Sequence, residues 1–309
     1  MSVHVRLGAT ELSVSPICFG TWQVSPWWGN PPQEPIVAAM RRAFEMGINF
    51  FDTADAYGNG ASECVVGRAL APLPRDQIVV ATKVFNHFYP DGHRHGDLSR
   101  QYILDACDAS LQRLAMDHID LYQCHSFDPL THPEAVAHAM DSLVRQGKIR
   151  AYGVSNWSVE QMRLGHRHGR FASCQPPYSL LNRDIERDVL PYCQATDTGV
   201  LVYSPLHRGL LSGKYGGDET FADLRDGHPD FTGERFRTLC DRVRQAGPIA
   251  ERHDLSIPQL VLAATLTHPA IHCAIVGIKN PGQIEEAMGA MNCTIGREDW
   301  YKVRETIHA

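Results

Sequence analysis

The chain has 309 residues, 43% of them hydrophobic and 21% charged, with a formal net charge of −6 and a pI near 6.2. That balance describes a globule large enough for a substantial core. It excludes a nucleic-acid binder, since there is no basic block, and a membrane-spanning chain, since no apolar run approaches the ~18 residues of a span.

Residues 3–7 and 11–14 flank Gly8-Ala9-Thr10 and predict a short hairpin. Strand and helix patterns then alternate. Strands are expected at 17–19, 48–52, 78–83, 119–125, 149–154, 172–175, 200–204 and 271–276. The helices between and after them fall near 35–45, 62–70, 100–114, 133–145, 159–167, 185–194, 234–252, 258–267 and 281–290. Ser99 and Ser158 stand where helix caps belong, and Pro133 and Pro281 suit first-turn positions that need no N–H. Gly147 ends the fourth helix. Eight strand–helix units in series predict a closed parallel (β/α)8 TIM barrel, because each parallel neighbour needs a crossover. Residues 1–309 then form one domain, with the hairpin and a last helix near 298–307 as additions.

The nine cysteines are odd in number and contain no C-x-x-C, which reads as reduced thiols in a cytoplasmic protein. Residues 1–6 lack the basic and apolar regions of a signal peptide.

Three words carry chemistry: Asp52-Thr53-Ala54-Asp55-Ala56-Tyr57, Ala81-Thr82-Lys83-Val84 and Tyr122-Gln123-Cys124-His125. Each falls at the C-terminal end of an expected strand, where barrel active sites are built. Asp52, Tyr57, Lys83 and His125 together suit carbonyl reduction. A phenol is a weak acid unless a neighbouring cation favours its phenolate. Lys83 supplies that cation, Asp52 anchors it, and His125 aims the carbonyl oxygen.

With Phe19-Gly20-Thr21-Trp22, Gly153-Val154-Ser155-Asn156, Tyr203-Ser204-Pro205-Leu206 and Gly213-Lys214, these words resemble the aldo-keto reductase family over nearly the whole chain. The likeness is to the bacterial branch related to potassium-channel β subunits. It implies an NADPH-dependent oxidoreductase acting on aldehydes, ketones or open-chain sugars, with Tyr57 as general acid. It also implies the cofactor residues. Ser155, Asn156 and Gln175 meet the nicotinamide carboxamide, and Tyr203 stacks on its ring. Thr21 and Trp22 flank it. Ser204, Pro205, Leu206 and Lys214 line the pyrophosphate. Gly277 leads to Lys279 for the 2′-phosphate, and Gln283 and Glu286 face the adenosine. Lys279 stands where the family has arginine, and Ala287 where it has asparagine, so NADH remains open as a donor beside NADPH (NADP+).

Trp22, Trp28, Phe85 and Phe88 are the expected substrate walls, with Trp27 and Tyr89 as further candidates. Residues 214–236, with Gly216, Gly217, Gly227 and Gly233, read as a mobile flap. His87, His93, Arg94 and His95 fall in a glycine-bearing loop without a cysteine or paired carboxylate and read as solvated side chains, so no metal site is expected. The expected partner is a small carbonyl compound, with no nucleic acid or membrane, and no oligomeric state is assigned. Two other classes compete: a cofactor-bearing regulatory barrel with slow turnover, and a metal-dependent barrel hydrolase or isomerase.

Overall fold

Short apolar runs separated by amphipathic stretches cannot bury both faces alone, and here they close on themselves. A computed structural model describes residues 4–89 and 91–308, so Val3, which starts the first expected strand, lies outside the described residues. β1 (Val5–Arg6) and β2 (Ser13–Val14) pair antiparallel as the expected hairpin. The barrel then begins with β3 (Ile17–Gly20), crosses by α1 (Gln33–Glu45) to β4 (Phe50–Asp52), and by α2 (Ala61–Leu70) to β5 (Val79–Val84). After β5 the chain makes an unpredicted antiparallel hairpin, β6 (Asn86–Phe88) with β7 (Arg94–Gly96), and enters α3 (Arg100–Leu114). β8 (Ile119–Cys124), α4 (Pro133–Arg145), β9 (Ile149–Ser155), α5 (Val159–His166), β10 (Phe171–Gln175) and α6 (Val189–Ala195) continue the alternation to β11 (Gly199–Tyr203). The last crossover runs through α7 (Gly233–Gln245), α8 (Gly247–Arg252) and α9 (Ile257–Leu266) to β12 (Cys273–Gly277), followed by α10 (Pro281–Met288) and α11 (Arg297–His308). β12 pairs with β3, and the eight strands form a closed parallel barrel.

The helix expected at 234–252 is two helices. Pro248, in the first turn of α8, has no N–H to continue the α7 ladder. The hairpin β6–β7 replaces the loose loop expected around His87 and His95. His87 and His95 there stack on each other, and His87 on Tyr89 and Tyr102. Seven of the nine cysteines are buried, whereas Cys64 is exposed and Cys293 half-buried. Among the described residues, no helix is long and apolar enough to cross a membrane.

Alternation along each strand sorts side chains into an outer layer under the helices and an inner layer inside the barrel. The inner layer has two levels. Towards the strand N-termini, Phe50, Val79, Ala81, Leu121, Leu201 and Cys273 form an apolar cluster with Leu7 and Leu12 of the N-terminal hairpin. Leu7 comes so close to β11 that a Cβ at Gly199 would lie 2.4 Å from its Cδ1, so glycine is required there. Moving along the same faces by two or four residues gives Asp52, Lys83, Gln123, Ser155 and Gln175, all buried. The barrel is thus apolar at one end and polar at the other, and the polar end is the C-terminal one.

Candidate active site

The polar level opens into a cavity of about 1120 Å³ lined by Gly20, Thr21, Trp22, Asp52, Tyr57 and His125, with further residues from the later loops. Lys83 lies beneath it, fully buried. Its Nζ donates to Asp52 Oδ1 at 2.6 Å, to Thr53 O at 2.8 Å and to Tyr57 OH at 3.4 Å. An ammonium buried this completely is tolerable only when its donors are satisfied and a counter-charge is adjacent. Burial opposes the charge on Lys83, but Asp52 and Tyr57 outweigh it and raise the ammonium's pKa. Asp52 is held from its other side, where Gln175 Nε2 donates to Oδ2 at 2.8 Å. The backbone carbonyl of Asp52 accepts from the N–H of Thr21 at 3.1 Å and from its hydroxyl at 3.0 Å. Positive charge is therefore fixed directly beneath the phenol.

The Tyr57 phenol departs from the expectation of a lowered pKa. Burial pushes it up to about 12, Lys83 pulls it back only partly, and Asp52 adds to the rise. Asp52, 2.6 Å from Lys83, neutralises much of the field the ammonium would exert on the phenolate. The phenol stays protonated, which suits a proton donor.

His125 stands edge-on to Tyr57, with ring centroids 5.9 Å apart and planes at 80°. Burial, with repulsion from Lys83 and Arg94, lowers its pKa to about 3. The imidazole is therefore neutral, and its Nδ1 is buried without a hydrogen-bond partner in the protein. Asn156, in left-handed backbone with φ 59°, donates to His125 O at 3.0 Å and to Ser155 Oγ at 3.1 Å. Tyr203 OH donates to Asn156 Oδ1 at 2.9 Å, and Ser155 Oγ donates to Gln175 O at 2.7 Å. These contacts tie the ends of β9, β10 and β11 into one polar rim.

Beyond Tyr203 the backbone turns left-handed at Ser204, His207 and Arg208, with φ 58°, 45° and 56°. Ser204, Pro205, Leu206 and Lys214 all face the cavity. So do Arg208 and Arg225, which sequence reading missed. Arg208 lies beside Gly209 in the same glycine-bearing run as Gly213-Lys214, a signal that was available; Arg225 lies in an irregular segment with none. On the opposite side, Gly277, Lys279, Gln283 and Glu286 line the wall at the start of α10. Gln283 Oε1 accepts from Lys279 N at 2.7 Å, and Glu286 accepts from Ser256 Oγ. Lys279 Nζ sits 4.8 Å from the Trp28 ring centroid. Burial and the positive charges of Arg225 and Lys214 lower the Lys279 pKa, with Asp223 opposing. Lys214, Lys279, Arg208 and Arg225, with Arg94, thus put five cations around one cavity in an acidic chain. This donor set fits an anionic dinucleotide: cations and a helix N-terminus for phosphates, and a polar rim for a planar amide.

Trp22, Trp27, Trp28 and Phe85 line the cavity, but Phe88 does not. It ends β6 in register with Arg94, and of that pair it is Arg94 that stands on the cavity wall. Tyr89 turns instead to His87, with centroids 4.9 Å apart. The 214–236 segment is fastened to the tryptophan loop: Leu224 N donates to Trp27 O at 3.0 Å, and Arg225 lies over Trp28.

The aldo/keto reductase family model matches residues 16–308. The chain is 37% identical over 302 residues to the aldo-keto reductase YhdN of Bacillus subtilis (strain 168), covering 96% of this chain and 91% of that protein. It is 34% identical over 322 residues to the NADH-specific methylglyoxal reductase of Escherichia coli (strain K12), covering 99% of this chain and 98% of that one. Among solved structures, the glycerol dehydrogenase AKR11B4 from Gluconobacter oxydans superposes with a TM-score of 0.92 at 33% identity, covering 99% of this chain and 95% of the other.

Proposed function

The chain belongs to the aldo/keto reductase family, and on that basis we propose that it reduces small aldehydes, ketones or open-chain sugars to alcohols with NADPH as the donor. The observation that carries the reading is the chain of contacts Gln175–Asp52–Lys83–Tyr57, which ends on a protonated phenol facing the cavity beside a neutral His125.

NADPH, when bound, supplies the hydride that the carbonyl carbon receives. Ser155, Asn156 and the Oε1 of Gln175 would hold its carboxamide, with Tyr203 against the ring. Ser204, Pro205, Leu206, Arg208 and Lys214 would line its pyrophosphate. Lys279 would meet the 2′-phosphate, with Gln283 and Glu286 towards the adenosine. Trp22, Trp28 and Phe85 form the apolar substrate wall. His125 donates one N–H to the carbonyl oxygen and fixes its direction. Tyr57 gives its hydroxyl proton to that oxygen as the C=O bond becomes C–O. Lys83, 3.4 Å from the phenol oxygen, stabilises the phenolate left behind. An alkoxide is more basic than a phenolate, so donation is downhill even from a phenol near pKa 12. The raised pKa keeps the proton on Tyr57 until an alkoxide-like oxygen forms to receive it.

The test is a panel of carbonyl compounds assayed with NADPH and with NADH, using wild type and Tyr57→Phe. Sustained turnover in the wild type, reduced by about 10²–10⁴ in the variant, is the expected result. One stoichiometric oxidation with no further turnover on any substrate would instead favour a regulatory barrel.

A further inference from the structure

The β6–β7 hairpin brings together three metal-ligating side chains outside the catalytic constellation. His87 and His95 are cross-strand partners in register, with ring centroids 5.0 Å apart. Asp97 follows β7 at the entry to α3. Its Oδ2 lies 3.3 Å from His87 Nδ1. One ligand atom from each of the three lies within 4.8 Å of the other two, and among the described residues no other group of three is drawn together in this way.

We propose that His87, His95 and Asp97 form a site for a divalent transition metal, with Zn2+ as the ion it suits. Bonds of about 2.0–2.1 Å at a tetrahedral angle set two ligand atoms about 3.3–3.4 Å apart. The separation of His87 Nδ1 from Asp97 Oδ2 already matches that spacing. Two imidazoles with one carboxylate favour zinc and its neighbours over magnesium or calcium, which prefer all-oxygen shells. Zinc has no d-electron preference and tolerates modest departures from the tetrahedral angle, as a β-hairpin would impose. Water completes the coordination, since His95 is exposed.

The surroundings hold the ligands in place, as an outer shell must. Asp97 Oδ1 accepts from Ser99 N at 2.7 Å, which leaves Oδ2 for the metal. The His87 ring stacks on Tyr102 at 4.5 Å and on Tyr89 at 4.9 Å, which fixes its plane. Tyr102 OH donates to Asn86 O at 2.5 Å and ties α3 to the same strand. His93 is differently engaged, packing on Tyr89 and facing Asp91.

A metal here joins both hairpin strands to the start of α3. Asn86 and Arg94, each next to a ligand in sequence, line the cavity together with Phe85. Occupancy therefore stiffens the wall against which a substrate packs, without touching the reacting atoms.

The full-length protein titrated with Zn2+ by calorimetry, and with Co2+ by visible absorption, tests the site in wild type, His95→Ala, Asp97→Asn and His93→Ala. Wild type and His93→Ala are expected to bind one tight equivalent. His95→Ala and Asp97→Asn should weaken it at least as much as the about 10–100-fold that loss of an outer-shell partner costs. Zn2+ should also raise the melting temperature of the wild type and leave that of His95→Ala unchanged. No stoichiometric binding in the wild type, or the same stoichiometry and affinity in His95→Ala, overturns the proposal. Exposed Cys64 and the other histidines would give such variant-independent binding.

Discussion

Gln175 and Asp52, 123 positions apart in the chain, meet at 2.8 Å inside the barrel through Nε2 and Oδ2. With Lys83 on the other oxygen, Asp52 is gripped by a cation and a neutral amide at once. The amide nitrogen of Gln175 is committed inward, so any ligand at the mouth has only its Oε1. A residue whose type suggests ligand binding thus also positions the proton-transfer group, three contacts away.

Lys83→Met should lose turnover and also weaken the fold. The substitution leaves the buried Asp52 with Gln175 as its remaining side-chain partner. Breaking a buried pair by removing one member costs about 3–5 kcal/mol. Urea unfolding of the variant should show that drop with an unchanged slope. A stability equal to wild type would mean that the pair is not held as described.

Stability should depend on pH through His125. Its folded pKa, near 3, lies below the unfolded value of about 6.5. Between those values the unfolded chain binds a proton that the folded chain refuses, so stability falls as pH drops below about 6.5. His125→Gln removes this component. The fall in urea midpoint between neutral pH and pH 5 should be smaller in the variant than in wild type, and an identical fall would contradict a buried neutral ring.

Lys279→Ala should weaken NADPH more than NADH. Lys279 lines the cavity at the start of α10 beside Trp28, in a cluster with Arg225 and Lys214. Loss of one charge-assisted contact is worth about 1.5–3 kcal/mol. Fluorescence titration with each nucleotide reads the difference. Equal weakening of the two would move the 2′-phosphate to Arg225 or rule out its recognition.

Leu7→Ala should cost about 2–5 kcal/mol of stability while leaving kcat on the best substrate unchanged. Leu7 fills the barrel end remote from Asp52 and Lys83, within the cluster of Phe50, Leu121 and Leu201. Thermal unfolding and steady-state kinetics on the same preparation check both halves.

The barrel was legible because its signals are local. Ile17, Phe51, Val80 and Val200 are apolar residues between amphipathic segments, and each run ended at a polar word. The positions of Asp52, Lys83 and His125 followed from those endings. What sequence reading missed depends on contacts that sequence does not order. The segment 86–96 lacks apolar alternation, so its strands went unseen; ring stacking on Tyr102 and Tyr89 holds them. The Tyr57 pKa goes up rather than down: the sequence shows a lysine nearby but not how completely the phenol is buried, nor how closely Asp52 sits on that lysine. Arg225 reaches the cavity only because residues 214–236 fold back on the tryptophan loop. Phe88 stays off the wall because the hairpin puts its partner Arg94 there instead.

The division of the barrel interior into an apolar end and a polar end separates two demands on one chain. Closure is secured by Leu7, Leu12 and their neighbours, while chemistry is assembled two to four residues further along the same strands. A change at the polar end that keeps its charges matched leaves the seal untouched. Substitutions among the polar-end residues therefore act on the chemistry without removing the apolar contacts of Leu7 and Leu12 that close the barrel.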